Sequence, residues 1–160
     1  MSGSPGKLSL KLQAEGEKTV ALFKSLSSQE LELGIYSDGP SWNAREVLAH
    51  FVSAETAFHE LIEDILAGGN GAPEGFDIDA FNQRQIPLLG DIPASELIEQ
   101  FQQARRYTVQ VVEKLAPELL DRTARHPFLG IAPLIEIIKL IYLHNQIHLR
   151  DIRSAISVEQ

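Results

Sequence analysis

Three of the five histidines in this 160-residue chain fall where they could share one ion. His144 and His148 stand four residues apart, so on a helix they present their rings to one face. Leu134, Ile137, Ile141, His144, His148, Asp151 and Ala155 form a seam of alternating three- and four-residue steps. Its first three members are apolar, so both histidines continue a core-facing line. His50 follows Val47 by three residues and precedes Ala54 by four, inside another apolar stripe. Its neighbours Ser53, Ala54 and Ala57 are small, which predicts open space beside the ring in an otherwise close-packed interior. His59 lies half a turn away from that stripe and His126 sits beside Pro127; both read as structural or solvent-exposed.

Three buried imidazoles without partners would each cost about 1–3 kcal/mol for an unpaired nitrogen. One divalent ion shared by three neutral rings uses their lone pairs and leaves coordination positions open, the pattern of a catalytic site and not of a closed structural one. All-nitrogen ligation suits zinc, nickel, copper or iron(II). Spacing alone leaves a second reading open, in which each histidine is a core residue satisfied by a backbone carbonyl. The pair also lacks the Glu after its first His that marks zinc proteases, since the string is His144-Asn145-Gln146-Ile147-His148. Asp151, one heptad from His144, is the candidate carboxylate for orienting a ligating ring. Its competing role is an ion pair with Arg150 or Arg153.

Four helical segments must position these residues, and almost nothing alternates with the period of a strand. The first spans about Lys7 to Leu26, weakened by Gly16, and a turn-rich stretch Ser37-Asp38-Gly39-Pro40-Ser41 follows. The second starts after Asn43, where Asn43 and Glu46 form a capping-box pattern and Trp42 could staple to Val47. Its stripe is Val47, His50, Phe51, Ala54, Ala57, Phe58, Leu61 and Ile65, and Gly68-Gly69-Asn70-Gly71 ends it. A mobile loop to about Phe76 and a short helical piece over Asp77–Ile86 come next. The glycine-rich run lacks the Gly-Lys-Ser/Thr ending of a phosphate-binding loop. The third helix runs from Pro93 to Leu115 with the stripe Leu97, Phe101, Ala104, Thr108, Val111 and Leu115. A loop over Ala116–Gly130 leads to the fourth, expected from Ile131 to Ile156 with Pro133 in its first turn. The expected fold class is all-α, a four-helix bundle in one domain spanning 1–160.

Composition narrows the function classes. The chain is 44% hydrophobic and 22% charged, as in ordinary globular proteins, which argues against disorder. Fourteen basic against 22 acidic residues give a net charge of −8, a field that opposes binding to nucleic acid or to an anionic membrane and leaves a small-molecule substrate open. With no cysteine there is no disulfide framework, Cys nucleophile or thiolate metal site, and thiol chemistry would need an external thiol. This composition fits a cytoplasmic enzyme. The start, Met1 to Gly6, has no apolar region of a signal peptide. The most apolar run, Ile131–Leu143, is shorter than the ~20 residues a membrane span needs and contains Glu136 and Lys139.

The string Ser41-Trp42-Asn43-Ala44-Arg45-Glu46-Val47-Leu48-Ala49-His50 resembles the opening of helix two in the DinB-like superfamily. The string His144-Asn145-Gln146-Ile147-His148-Leu149-Arg150-Asp151-Ile152-Arg153 resembles that family's motif on helix four. Asp77-Ile78-Asp79-Ala80-Phe81-Asn82 is similar to a stretch found in some members. The resemblance covers nearly the whole chain. It implies an up-up-down-down bundle, frequently a homodimer, with a divalent metal on His50, His144 and His148. It also implies hydrolase or thiol-dependent transferase and isomerase chemistry, and a place in the pocket for Asn82, whose competing role is a local cap or turn contact. No appended second domain of the kind that maleylpyruvate isomerases carry is expected in these 160 residues, which argues against that activity.

The resulting expectation is a metal-dependent enzyme whose zinc, nickel or iron ion activates water or a small external thiol. Two alternatives stand beside it. One is a non-catalytic metal- or ligand-binding stress-response protein. The other is a structural or interaction protein with vestigial histidines; the apolar excess of Ile135, Ile138, Leu140 and Ile141 suits a helix buried on several faces, part of which a dimer seam would account for.

Overall fold

The computed structural model describes residues 3–37 and 41–159. The turn expected at Asp38–Pro40 lies outside them. Four long helices dominate: α1 (Pro5–Ser25), α3 (Ala44–Leu66), α5 (Ala94–Glu113) and α6 (Leu134–Glu159). Two short ones, α2 (Ser28–Leu31) and α4 (Ile78–Leu88), lie in the connections. Local chemistry sets the boundaries. The Asn43 side chain accepts from the Glu46 amide (2.8 Å) while Glu46 accepts from the Asn43 amide (3.1 Å), the reciprocal cap read from the sequence. Gly68, with φ +94°, adopts the left-handed conformation that stops α3. Asp77 caps α4 through the Ala80 amide.

Each of α1 and α3 packs against both α5 and α6. The two ends of the bundle fix their senses: Leu8, Ile62, Val112 and Ile137 meet at one end, and Phe23, Val47, Leu97 and Ile152 at the other. Read around the bundle as α6, α1, α5, α3, the helices run up, up, down, down. In chain order the same arrangement is up, down, down, up.

The interior is two apolar clusters with a polar layer between them. One cluster joins Leu8, Leu12, Ile62, Val112, Leu134 and Ile137, and the other joins Phe23, Val47, Phe51, Leu97, Phe101 and Ile152. Between them the Arg105 guanidinium grips Glu55 with two bonds (2.7 and 2.9 Å), donates to the Leu12 carbonyl (3.0 Å) and reaches Asn145 Oδ1. Thr108 adds a bond to Glu55 (2.8 Å). Arg105 is 3% and Glu55 2% exposed, so the pair is fully desolvated and its donors and acceptors are met within the layer. Gly16, expected only to weaken α1, makes room for this: a Cβ there would sit 2.8 Å from Arg105 Cγ.

Three expectations change. The loop over 116–130 carries a 3-10 turn (Pro117–Asp121) and a hairpin of β1 (Thr123–His126) with β2 (Gly130–Pro133), in register from Thr123↔Pro133 to His126↔Gly130. Pro133 therefore ends a strand, and α6 begins at Leu134 instead of Ile131. The supposedly mobile glycine-rich loop is anchored, since Arg125 donates to the Asn70 carbonyl and accepts from the Ala72 amide, both at 2.8 Å. Asp64 holds the Gly71 amide at 2.9 Å.

Candidate metal centre

α3 and α6 cross antiparallel and bring His50, His144 and His148 together. Each offers one ligand nitrogen, and the three lie within 4.8 Å of one another. His144 Nε2 is 2.8 Å from His50 Nε2 and 3.1 Å from His148 Nε2. Two ring nitrogens that both carry lone pairs repel at such distances, so a shared cation or a shared proton must lie between them. The residues selected by spacing are thus brought to one point.

The surroundings favour neutral rings. His50 is 6% exposed, with Trp42 stacked 4.8 Å away at a 40° tilt and Phe51 adjoining His144 and His148. Burial, reinforced by the other histidines, pushes His50 down to about 3 and holds His144 well below the usual imidazole range, with the Arg105 charge adding to the latter. Burial lowers His148 to about 4 against the opposing pull of Asp151. At neutral pH all three therefore present lone pairs, as metal ligation requires. The donor set, its convergence and its protonation state fit one divalent ion. Trp42 lies against the His50 ring. Of its small neighbours, Ser53 is buried; neither its Oγ nor the buried His50 Nδ1 has a hydrogen-bond partner among the described residues.

Asp151 does not touch a histidine directly. The Tyr36 hydroxyl lies between them, 2.6 Å from Asp151 Oδ2 and 2.7 Å from His148 Nδ1. Asp151 also pairs with Arg150 at 3.2 Å, so both roles weighed for it are present. Burial and the adjacent Asp151 raise Tyr36 well above the usual phenol range and keep it protonated. Tyr36 carries no periodic signal and sits over a hundred residues from its partners, which is why the sequence does not reveal it. Asn82 is half-buried on α4, which packs against α3; no side-chain hydrogen bond joins it to the histidines among the described residues. His59 is held by the Ala104 carbonyl (2.9 Å) and Thr108 (2.6 Å), and His126 is buried with Nδ1 accepting from two backbone amides. Both have the structural roles expected of them.

Comparison with known proteins places the fold. The DinB superfamily profile matches residues 11–152. The chain belongs to the DinB superfamily. Among solved structures, this DinB-superfamily chain is similar to YfiT from Bacillus subtilis, described as a probable metal-dependent hydrolase with an unusual four-helix bundle topology. That likeness has a TM-score of 0.79 at 16% identity and covers 97% of this chain and 87% of YfiT. An uncharacterised protein from Escherichia coli UTI89 gives 0.78 at 10% identity, covering 98% and 94%. Another from Clostridium difficile 630 gives 0.72 at 15%, covering 99% and 98%. At these identities the likeness shows the shared bundle. No curated protein matches the sequence.

Proposed function

We propose that this chain is a metal-dependent enzyme of hydrolase or thiol S-transferase type, in which His50, His144 and His148 hold one zinc, nickel or iron ion. The observation that carries this reading is the convergence of three imidazole nitrogens within 4.8 Å of one another, one on a buried and two on half-buried residues. An ion held by three ligands keeps open positions and supplies Lewis-acid chemistry that lowers the pKa of a bound water or thiol. The chain's own groups do the rest. Trp42 and Phe51 pack against the rings and shield them from solvent. The Tyr36 hydroxyl bridges Asp151 and His148. A chain without cysteine would take its thiol from a small external co-substrate. The likeness to YfiT, a probable metal-dependent hydrolase, supports the reaction class. The net charge of −8 favours a small-molecule substrate over nucleic acid, and no helix among the described residues is long and apolar enough to cross a membrane.

The test is steady-state kinetics on metal-loaded protein, with ester, amide and electrophilic substrates, in the presence and absence of a low-molecular-weight thiol. Turnover abolished by His144→Ala supports the enzyme. Stoichiometric metal binding with no turnover in either arm would instead make the protein a sequestering module. The same proposal includes a homodimer, supported by Leu143 and Ile147, one turn apart on α6 and 44% and 50% exposed.

A further inference from the structure

Tyr36 belongs to a strap that leads into the helix carrying His50. Gly34 and Asn43 form an antiparallel bridge. The amides of Ile35 and Tyr36 both donate to the Trp42 carbonyl, at 2.8 and 3.2 Å, and the Ala44 amide donates to the Leu33 carbonyl at 3.1 Å. These bonds tie the Tyr36 backbone to the start of α3, and the side chain reaches across to α6. Its ring meets the His148 ring edge-on, with centroids 5.6 Å apart.

The direction of each hydrogen bond follows from what the groups can do. An ionised carboxylate only accepts, so the Tyr36 O–H donates to Asp151 Oδ2 at 2.6 Å. The phenol proton is then committed, and the phenol oxygen offers a lone pair to its other neighbour. His148 Nδ1, 2.7 Å away, must therefore be the N–H form and donate. A neutral imidazole protonated at Nδ1 carries its lone pair on Nε2, the nitrogen that faces His144 at 3.1 Å.

We infer that Tyr36 is a positioning residue that relays Asp151 to His148, fixing the tautomer and ring orientation in which Nε2 points its lone pair into the three-histidine cluster. The geometry of the relay stands on the strap and its hydrogen bonds; its purpose rests on the metal reading proposed above. The relay also distinguishes the three rings. His148 has its far nitrogen held by side chains, whereas His50 Nδ1 has no partner among the described residues. The strap thereby touches two ligands at once, with Trp42 on the ring face of His50 and Tyr36 on the far nitrogen of His148.

Long-range proton–nitrogen NMR on uniformly labelled, EDTA-treated protein at pH 7.5 reads the tautomer without any metal. The expected result is a single Nδ1–H form for His148, replaced in Tyr36→Phe by a mixture of tautomers. A zinc competition titration on the same two proteins should show affinity lowered by about 10–100-fold in Tyr36→Phe, as for other groups that orient a ligating histidine. Circular dichroism melts confirm that the variant is folded, and the wild-type spectrum alone decides the tautomer if it is not. An Nε2–H tautomer in the wild type overturns the inference. So does a folded Tyr36→Phe with unchanged tautomer and unchanged zinc affinity. A tautomer that depends on Tyr36 in a protein that binds neither zinc, nickel nor iron would sustain the relay and overturn the metal reading.

Discussion

Acidification of the metal-free protein should unfold it well above the pH at which typical carboxylate pairs fail. The perturbation is protonation of His50, His144 and His148. Burial lowers all three in the folded state, to about 3 for His50 and about 4 for His148. In the unfolded chain each titrates near 6.5, so below that value the unfolded state binds the extra protons. Stability is therefore full above pH ~6.5 and falls as pH drops towards the folded-state values. Between pH 6.5 and 5.5 each ring that stays neutral in the fold loses about 1 kcal/mol, and the three together about 3 kcal/mol. That is a large share of the ~5–15 kcal/mol typical of a domain. Urea unfolding in EDTA at pH 7.5, 6.5 and 5.5 measures it directly. A His144→Asn, His148→Asn double variant should remove about 2 kcal/mol of the decline, leaving the parts due to His50 and the buried His126. A wild-type stability flat from pH 7.5 to 5.5 would refute the claim that the rings are buried and neutral.

The remaining predictions concern the layers that hold the site. Glu55→Gln leaves the Arg105 charge uncompensated in the core and should cost about 3–5 kcal/mol in urea unfolding, whereas Glu55→Met with Arg105→Met should come within ~1–2 kcal/mol of wild type. His126→Ala removes the acceptor for the Phe128 and Leu129 amides, at 3.0 and 3.2 Å, and should cost about 1–3 kcal/mol; hydrogen exchange at those two amides should rise first. Leu143→Glu with Ile147→Glu should convert a dimer to a monomer in sedimentation velocity while leaving the melting temperature of the monomer nearly unchanged.

The sequence made the convergent histidine trio legible because helical spacing is a local signal and both participating helices have strong caps or strong apolar faces. Asn43 and Glu46 set the start of α3 by contacts three residues apart, which a sequence shows. The α6 seam was readable only at its beginning. Its three- and four-residue steps have a period of 3.5, while the buried line Leu134, Ile138, Ile141, Asn145, Leu149, Ile152 spans 18 residues in five turns. The 3.6-residue helix drifts from a 3.5 seam, so His144 and His148 stand beside the fully buried line and are themselves half-buried, facing α3. The hairpin escaped because its strands are four residues long, too short to show alternation, and Pro133 matched a helix start equally well. The Glu55–Arg105 pair and Tyr36 escaped for another reason. Buried charge and a tyrosine in a turn-rich strap carry no periodic signature, and their partners lie 50 and 112 residues away.

Elemental mass spectrometry on tag-free protein, beside a His144→Ala, His148→Ala double variant, tests the metal site most directly. The account predicts about one zinc, nickel or iron per chain in the wild type, through the one set of three ligands identified, and none in the variant. Absence of metal from both proteins after reconstitution at pH 7.5, or equal metal in both, would contradict it.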